Sequence, residues 1–306
     1  MYLQNLKIIL ADFPKFRLKQ VYQAIFKDLV EDWEEVTVFP KELRAKLAKE
    51  TPLNINAKFI KTDDEKTVKA LMTLSDGRLI ETVLMRHRDN RNTVCVSSQV
   101  GCPMGCAFCA TGDMGFMRNL ECGEIVDEVL LFARQLKKED QRITNVVFMG
   151  MGEPFLNYTE VMKAIHILNK DIGIAARHIS VSTCGIIDGI KKLMDEPTQL
   201  NLAISFHGPN NEIRSKLMPI NRRDPIEVLL PQVGEYLKKT GRKVMIEYLV
   251  IKNVNDSLDN ARELASVLKK YLGHLFMVNL IPYNPTGKFQ PPTRGEVEQF
   301  RKVLES

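Results

Sequence analysis

Residues 95 to 120 gather the chemistry of this 306-residue chain: Cys95-Val-Ser-Ser-Gln-Val-Gly-Cys102-Pro-Met-Gly-Cys106-Ala-Phe-Cys109, then Ala-Thr-Gly-Asp-Met-Gly-Phe-Met-Arg-Asn-Leu120. Four of its six cysteines lie here. Cys102, Cys106 and Cys109 are spaced Cys-x3-Cys-x2-Cys among Gly101, Gly105 and Gly112, so the backbone can curl about something compact. Thiolates gathered on one loop are ligands for a soft metal. A closed structural zinc site takes four ligands, and an ordinary cubane cluster takes four cysteines. Three cysteines leave one coordination position for a ligand from outside the protein. A zinc knuckle would need a second ligand pair, and no later Cys-x2-Cys or His pair follows. The bland alternative is a set of buried, reduced core thiols.

The elements that must hold this loop alternate in type. Strand-like runs are expected at 93–98, 143–149, 178–183, 200–206, 243–251 and 276–282, separated by helices such as 124–137, 160–169 and 257–271. The runs are short, continuous and rich in Val and Ile, as parallel strands buried on both faces should be. The fold class is therefore α/β, with the order arguing for a partial (β/α)6 barrel rather than an antiparallel sandwich. Thr159 is expected to cap the helix at Glu160, and Asp224-Pro225 to open another that Pro231 kinks. In such barrels the chemistry sits where strands end. Gly150-Met-Gly152-Glu153-Pro154, Ser180-Val-Ser182-Thr-Cys-Gly185, Ser205-Phe206-His207-Gly208 and the stretch from Asn279 to Asn284 all fall there. Singly, Gly-Glu-Pro reads as a turn and His207 as a core histidine; four polar strand ends around one cysteine loop read as a site.

Upstream, residues 1–50 form a small helical domain: Leu18, Val21, Tyr22 and Ile25 share one helical face, and Pro40 can start a second helix. Residues 51–92 follow as a β-hairpin extension, with strand-like runs on either side of Asp76-Gly77. By pattern alone Glu81, in the second run, belongs on the wet face. The core then occupies 93–306. Composition is that of a globular protein, 44% hydrophobic and 26% charged, with a net charge of +5 that permits a polyanionic partner without demanding one. No run approaches the ~20 apolar residues of a membrane span, and the N-terminus lacks the regions of a signal peptide. A cytoplasmic, reducing setting and no membrane partner are expected.

Taken together the motifs resemble those of the radical S-adenosylmethionine (SAM) RNA methyltransferases of the RlmN and Cfr type. The likeness lies in the cysteine spacing, Cys95-Val-Ser-Ser-Gln-Val-Gly-Cys102, Gly115-Phe-Met-Arg-Asn-Leu120, Asn145-Val-Val-Phe-Met-Gly-Met-Gly-Glu-Pro154, Leu202-Ala-Ile-Ser-Phe-His207, Met218-Pro-Ile-Asn221 and Val278-Asn-Leu-Ile-Pro-Tyr-Asn284. The resemblance implies a [4Fe-4S] cluster on Cys102, Cys106 and Cys109, and SAM, two per turnover, lined by Gly152, Glu153, Ser182, Ser205, Phe206, His207 and Asn279. It implies proton removal by Glu81, in place of the wet-face reading, and resolution of a covalent enzyme–RNA intermediate by Cys95. The implied reaction is methylation of C2 of an adenine in 23S rRNA and in tRNA. Adenine C2 is an unactivated aromatic carbon closed to direct attack on the SAM methyl group, so a radical must do the work. The implied partners are these RNAs, with the base unstacked, and a flavodoxin or ferredoxin electron donor; a monomer is expected. The family's methyl-carrying cysteine, in an Ala-Cys-Gly-Gln-Leu-like segment, has no counterpart before Ser306, so a C-terminally shortened chain is expected. Two alternatives stay open: methylation at C8, and a SAM- and RNA-binding homologue without transfer.

Overall fold

The computed structural model describes residue 6 and residues 8–306. By contacts the chain forms two compact units: residues 1–100, 119–151 and 159–179 in the first, and 101–118, 152–158 and 180–306 in the second. Part of the expected N-terminal helical segment, residues 1–5 and 7, lies outside the described residues.

In the first unit, the helix Phe16–Phe26 buries Val21, Ala24, Ile25 and Phe26, and the helix Lys41–Glu50 follows Pro40 as the sequence predicts. Trp33 is fully buried, its indole N–H donating to the Thr51 carbonyl at 2.8 Å, which satisfies the polar end of a large apolar side chain. The hairpin pairs Thr73 opposite Leu79. Gly77 takes φ +80°, the left-handed conformation glycine adopts at no steric cost. It is larger than expected. The strand Ala57–Lys61 adds to one side of Thr67–Thr73, and Leu79–Arg86 pairs antiparallel with Asn92–Cys95, the first strand expected of the core. Asn92–Cys95 then pairs in parallel with Asn145–Phe148. The extension and the start of the core are thus one continuous ladder.

In the second unit, residues 180–183 of the strand Ile179–Thr183, then Asn201–Ser205, Val244–Val250 and Phe276–Pro282 lie side by side, all parallel. The middle strands are buried on both faces, which is why they lack polar alternation. The helix Arg294–Glu305, opened by a Thr293–Glu296 capping box, sets Phe300 against Tyr248 with ring centroids 5.3 Å apart.

Helix starts are the main departures. The helix Tyr158–Ile167 begins before Thr159, because the 3₁₀ turn Pro154–Asn157 runs directly into it; Glu153, not Thr159, caps that turn by accepting the Phe155 N–H at 3.0 Å. Asp224 caps nothing. Its carboxylate is taken by the Arg223 guanidinium at 2.6 and 2.8 Å, and Pro225 stands just before the helix Ile226–Thr240 rather than inside it. Pro231 sits within that helix without ending it.

Phe300 and Tyr248 are both fully buried. Phe300→Ala is expected to lower unfolding free energy by about 3–5 kcal/mol in urea titrations, by lost transfer energy and the cavity left behind.

Candidate active site

The cysteine loop is closed by glycine. Cys102 donates its N–H to the Gly115 carbonyl at 3.0 Å, while Gly101, at φ +75°, lies so near that a Cβ there would sit 1.8 Å from the same oxygen. Gly112 is packed against the Cys106 backbone, where a Cβ would meet its N and O at 3.2 and 3.1 Å. All three cysteine side chains are half-buried and free. Burial, then the charges of Cys109 and Cys102, push the Cys106 thiol up to about 12. Three thiolates on this loop would repel one another without a cation between them.

Two contacts anchor the loop within its own unit. Ala107 donates its N–H to the Leu217 carbonyl at 2.9 Å, at the end of the helix Asn211–Leu217. Phe108 meets the His207 imidazole edge-on, centroids 4.9 Å apart. His207 follows the strand Asn201–Ser205 at φ +54°, a left-handed position for a non-glycine residue. Its Nδ1 accepts the Leu249 N–H at 3.0 Å and its carbonyl accepts Asn255 Nδ2 at 2.8 Å. That bond puts the neutral ring's proton on Nε2. Burial, reinforced by the Arg214 charge, depresses His207 to about 3.

Beside His207 the strands carry a row of polar groups, Ser205 at the end of its strand but Glu247 and Asn279 in the middle of theirs, so Asn279 does not lie at a strand end as expected. Glu247 lies opposite Ser205 on one side and Asn279 on the other. Ser182 Oγ and Ser205 Oγ are 3.4 Å apart. Phe206 is fully buried and donates its N–H to the Glu247 carbonyl at 3.0 Å. Asn279 gives its Nδ2 to Glu247 Oε2 at 2.8 Å. Gly152 takes φ +100°, and Glu153, buried after it, receives the Phe155 and Cys184 N–H groups at 3.0 and 2.8 Å.

Glu81 and Cys95 lie in the first unit. Cys95 stands directly opposite Val83, so Glu81, two residues from Val83, is its diagonal neighbour on the same sheet face. Glu81 is ion-paired with Lys69 at 3.1 Å. Ser97 Oγ holds the Glu81 carbonyl at 2.7 Å, and Thr82 Oγ1 holds that of Cys95 at 2.9 Å. Burial and the Glu128 charge push the Cys95 thiol up to about 12.

Residues 96–265 match the model of the radical SAM superfamily. The chain is 45% identical over 295 residues to a probable dual-specificity RNA methyltransferase RlmN of Dictyoglomus thermophilum, covering 95% of this chain and 84% of that one. It is 42% identical over 309 residues to the ribosomal RNA large subunit methyltransferase N of Nitrosopumilus maritimus, covering 97% and 87%. A radical SAM methyltransferase from Sphaerobacter thermophilus shares the fold with a TM-score of 0.94 at 44% identity, over 100% of this chain and 91% of that one. The chain belongs to the RlmN-type radical SAM RNA methyltransferases. It is an enzyme with the α/β radical SAM fold, in keeping with the partial barrel expected from its strand pattern.

An RlmN-type enzyme implies a [4Fe-4S] cluster and SAM. The residues present fit: three soft donors on a glycine-closed loop, mutually repelling when ionised. Among the described residues no three His, Cys, Asp or Glu side chains stand close enough to share one ion. A cubane does not ask for that, since each thiolate takes a different iron.

Sequence reasoning missed Glu247, Glu128 and Arg214, which are 3%, 0% and 0% exposed. Only Glu247 left a signal, a carboxylate within the apolar run Val244-Met-Ile-Glu-Tyr-Leu-Val250.

Two outcomes are expected. Gly101→Ala should retain its circular dichroism but lose iron on anaerobic reconstitution, because the Cys102–Gly115 closure cannot form. His207 should also make the protein less stable in acid. Its folded pKa of about 3 lies below the ordinary 6.5 of an exposed imidazole, so only the unfolded chain gains its proton as pH falls from 6.5 towards 3. The cost approaches about 1.4 kcal/mol per pH unit in that window, and a His207→Asn variant should show a shallower slope in denaturant titrations.

Proposed function

We propose that this RlmN-type enzyme methylates C2 of an adenine in 23S rRNA and in tRNA. Cys102, Cys106 and Cys109 hold the cluster, and Gly152, Glu153, Ser182, Ser205, Phe206, His207 and Asn279 line SAM. The carrying observation is that the cysteine loop and these residues lie in one compact unit, tied by the Phe108–His207 contact and the Ala107–Leu217 hydrogen bond. The cluster with SAM supplies a carbon radical strong enough to act on an unactivated C–H bond. The protein supplies position.

Each residue then has a task its surroundings support. His207 is a neutral Nε2–H donor, fixed by Leu249, and introduces no charge beside a sulfonium. Glu81 takes the ring proton, with Lys69 orienting its carboxylate. Cys95, pushed up to about 12, stays a thiol at neutral pH; once a base takes its proton, it would attack the sulfur of the covalent enzyme–RNA intermediate, forming a disulfide as the sulfur–carbon bond breaks and the methylated base is released. Residues 1–50 act as an accessory domain beside an extension at 51–92, a flavodoxin or ferredoxin delivers the electron, and the enzyme works as a cytoplasmic monomer. Among the described residues no helix is long and apolar enough to cross a membrane.

Mass spectrometry of nucleosides from 23S rRNA and tRNA, with and without the gene, tests this reading. The expected result is 2-methyladenosine that disappears with the gene; 8-methyladenosine alone, or no change, contradicts it. Glu81→Gln should slow methyl transfer about 10²–10⁴-fold, the usual worth of a general base, while SAM is still cleaved to 5′-deoxyadenosine.

A further inference from the structure

Arg214 has no place in the proposed machinery, yet it is the most unusual charge in the second unit. It is 0% exposed on a helix whose other charged residues face solvent. Its Nη1 donates to Asn221 Oδ1 at 2.7 Å and its Nη2 to the Cys184 carbonyl at 2.8 Å, and its Cζ lies 5.6 Å from the centre of the Phe206 ring. Its Nε, buried, has no partner. None of these neighbours carries a negative charge. A guanidinium taken out of water, matched only with neutral acceptors and an aromatic face, with the Asp224 carboxylate that acts on it already bound by Arg223, is under-compensated, and such a charge persists where something else balances it.

The site beside it is the cysteine loop. The Ala107–Leu217 hydrogen bond fastens that loop to the helix of Arg214, one residue after Cys106. A second link runs through Cys184: Arg214 holds its carbonyl, and its Sγ lies 3.0 Å from Sδ of Met104, between Cys102 and Cys106 in the loop. Gly208 gives the helix room to approach: a Cβ there would lie 2.6 Å from the Arg214 backbone nitrogen. Asn221 in turn is held by Asn211 and Ser215, which keeps the fork of the guanidinium in one orientation.

We propose that Arg214 is the built-in counter-cation of the thiolate-bound cluster, a positioning charge that stabilises the cluster most in its reduced, more negative state. This rests on the reading that Cys102, Cys106 and Cys109 hold that cluster. Net charge and hydrogen bonding around an iron–sulfur centre are what set its reduction potential. A fixed buried cation makes the one-electron reduction that starts each turnover easier, and its loss makes that reduction harder.

The test is an EPR-monitored redox titration of the anaerobically reconstituted protein, without SAM or RNA, for wild type, Arg214→Gln, Arg214→Lys and Asn221→Asp. Arg214→Gln is expected to disfavour reduction about tenfold, a shift of about 59 mV to lower potential. Arg214→Lys, which keeps the charge, should remain near wild type. Asn221→Asp, which sets a carboxylate on the guanidinium, should shift the same way as Arg214→Gln. Where Arg214→Gln fails to fold, the other two variants decide. A full complement of iron with unchanged potential in Arg214→Gln or in Asn221→Asp overturns the proposal, as does an Arg214→Lys potential that falls as far as that of Arg214→Gln. Wild-type protein that forms no [4Fe-4S] signal overturns instead the reading on which the proposal rests.

Discussion

The closure of the cysteine loop through two glycine backbones is the constraint on which the rest depends. Cys102 can donate to the Gly115 carbonyl only because Gly101 has no Cβ to fill that space. With the loop closed, Ala107 reaches Leu217 and Phe108 reaches His207, and the thiols come to a defined place among the strand ends of their unit. Backbone contact fixes the loop more rigidly than side-chain packing would, which suits a centre whose geometry must survive repeated change of oxidation state.

Around that loop, charge is managed by burial and by neutral hydrogen bonding. His207 is held neutral by burial and by its bond from Leu249; Glu153 is satisfied by two backbone N–H groups; Glu247 shares its carboxylate with Asn279. Each buried ionisable group is costly alone and tolerable once bonded. The outcome is a polar row running from Ser205, at the end of Asn201–Ser205, to Glu247 and Asn279, in the middle of Val244–Val250 and Phe276–Pro282, fixed by hydrogen bonds within the protein, and pre-ordered groups lose little entropy on binding. In the first unit the same economy applies to Glu81 and Cys95, whose carbonyls are pinned by Ser97 and Thr82 while their side chains share one face.

Much of this was legible in the sequence, for identifiable reasons. Parallel strands buried on both faces write continuous Val- and Ile-rich runs, so the strands around 145, 180, 203, 247 and 279 stood out to within a few residues. The Asp76-Gly77 turn announced its hairpin because only a few residue pairs tolerate that backbone. Helix starts were less legible: Thr159 and Asp224 both have capping chemistry, but a 3₁₀ turn and a neighbouring arginine claim those positions first. Arg214 and Glu128 were invisible because each sits in a helix of ordinary polarity, and burial of one charged residue on such a helix is decided by what packs against it. The added strand Ala57–Lys61 was hidden for the opposite reason, since four of its five residues are exposed and show no alternation.

If Cys102, Cys106 and Cys109 hold the cluster, one iron is left for SAM, and whether it is so can be measured. Mössbauer spectroscopy of the ⁵⁷Fe-reconstituted protein, before and after SAM is added, addresses it most directly. A [4Fe-4S] spectrum in which one iron alone changes its isomer shift on SAM addition is the expected outcome. A cluster whose irons all respond alike, or a protein that takes up zinc and forms no cluster, would contradict it.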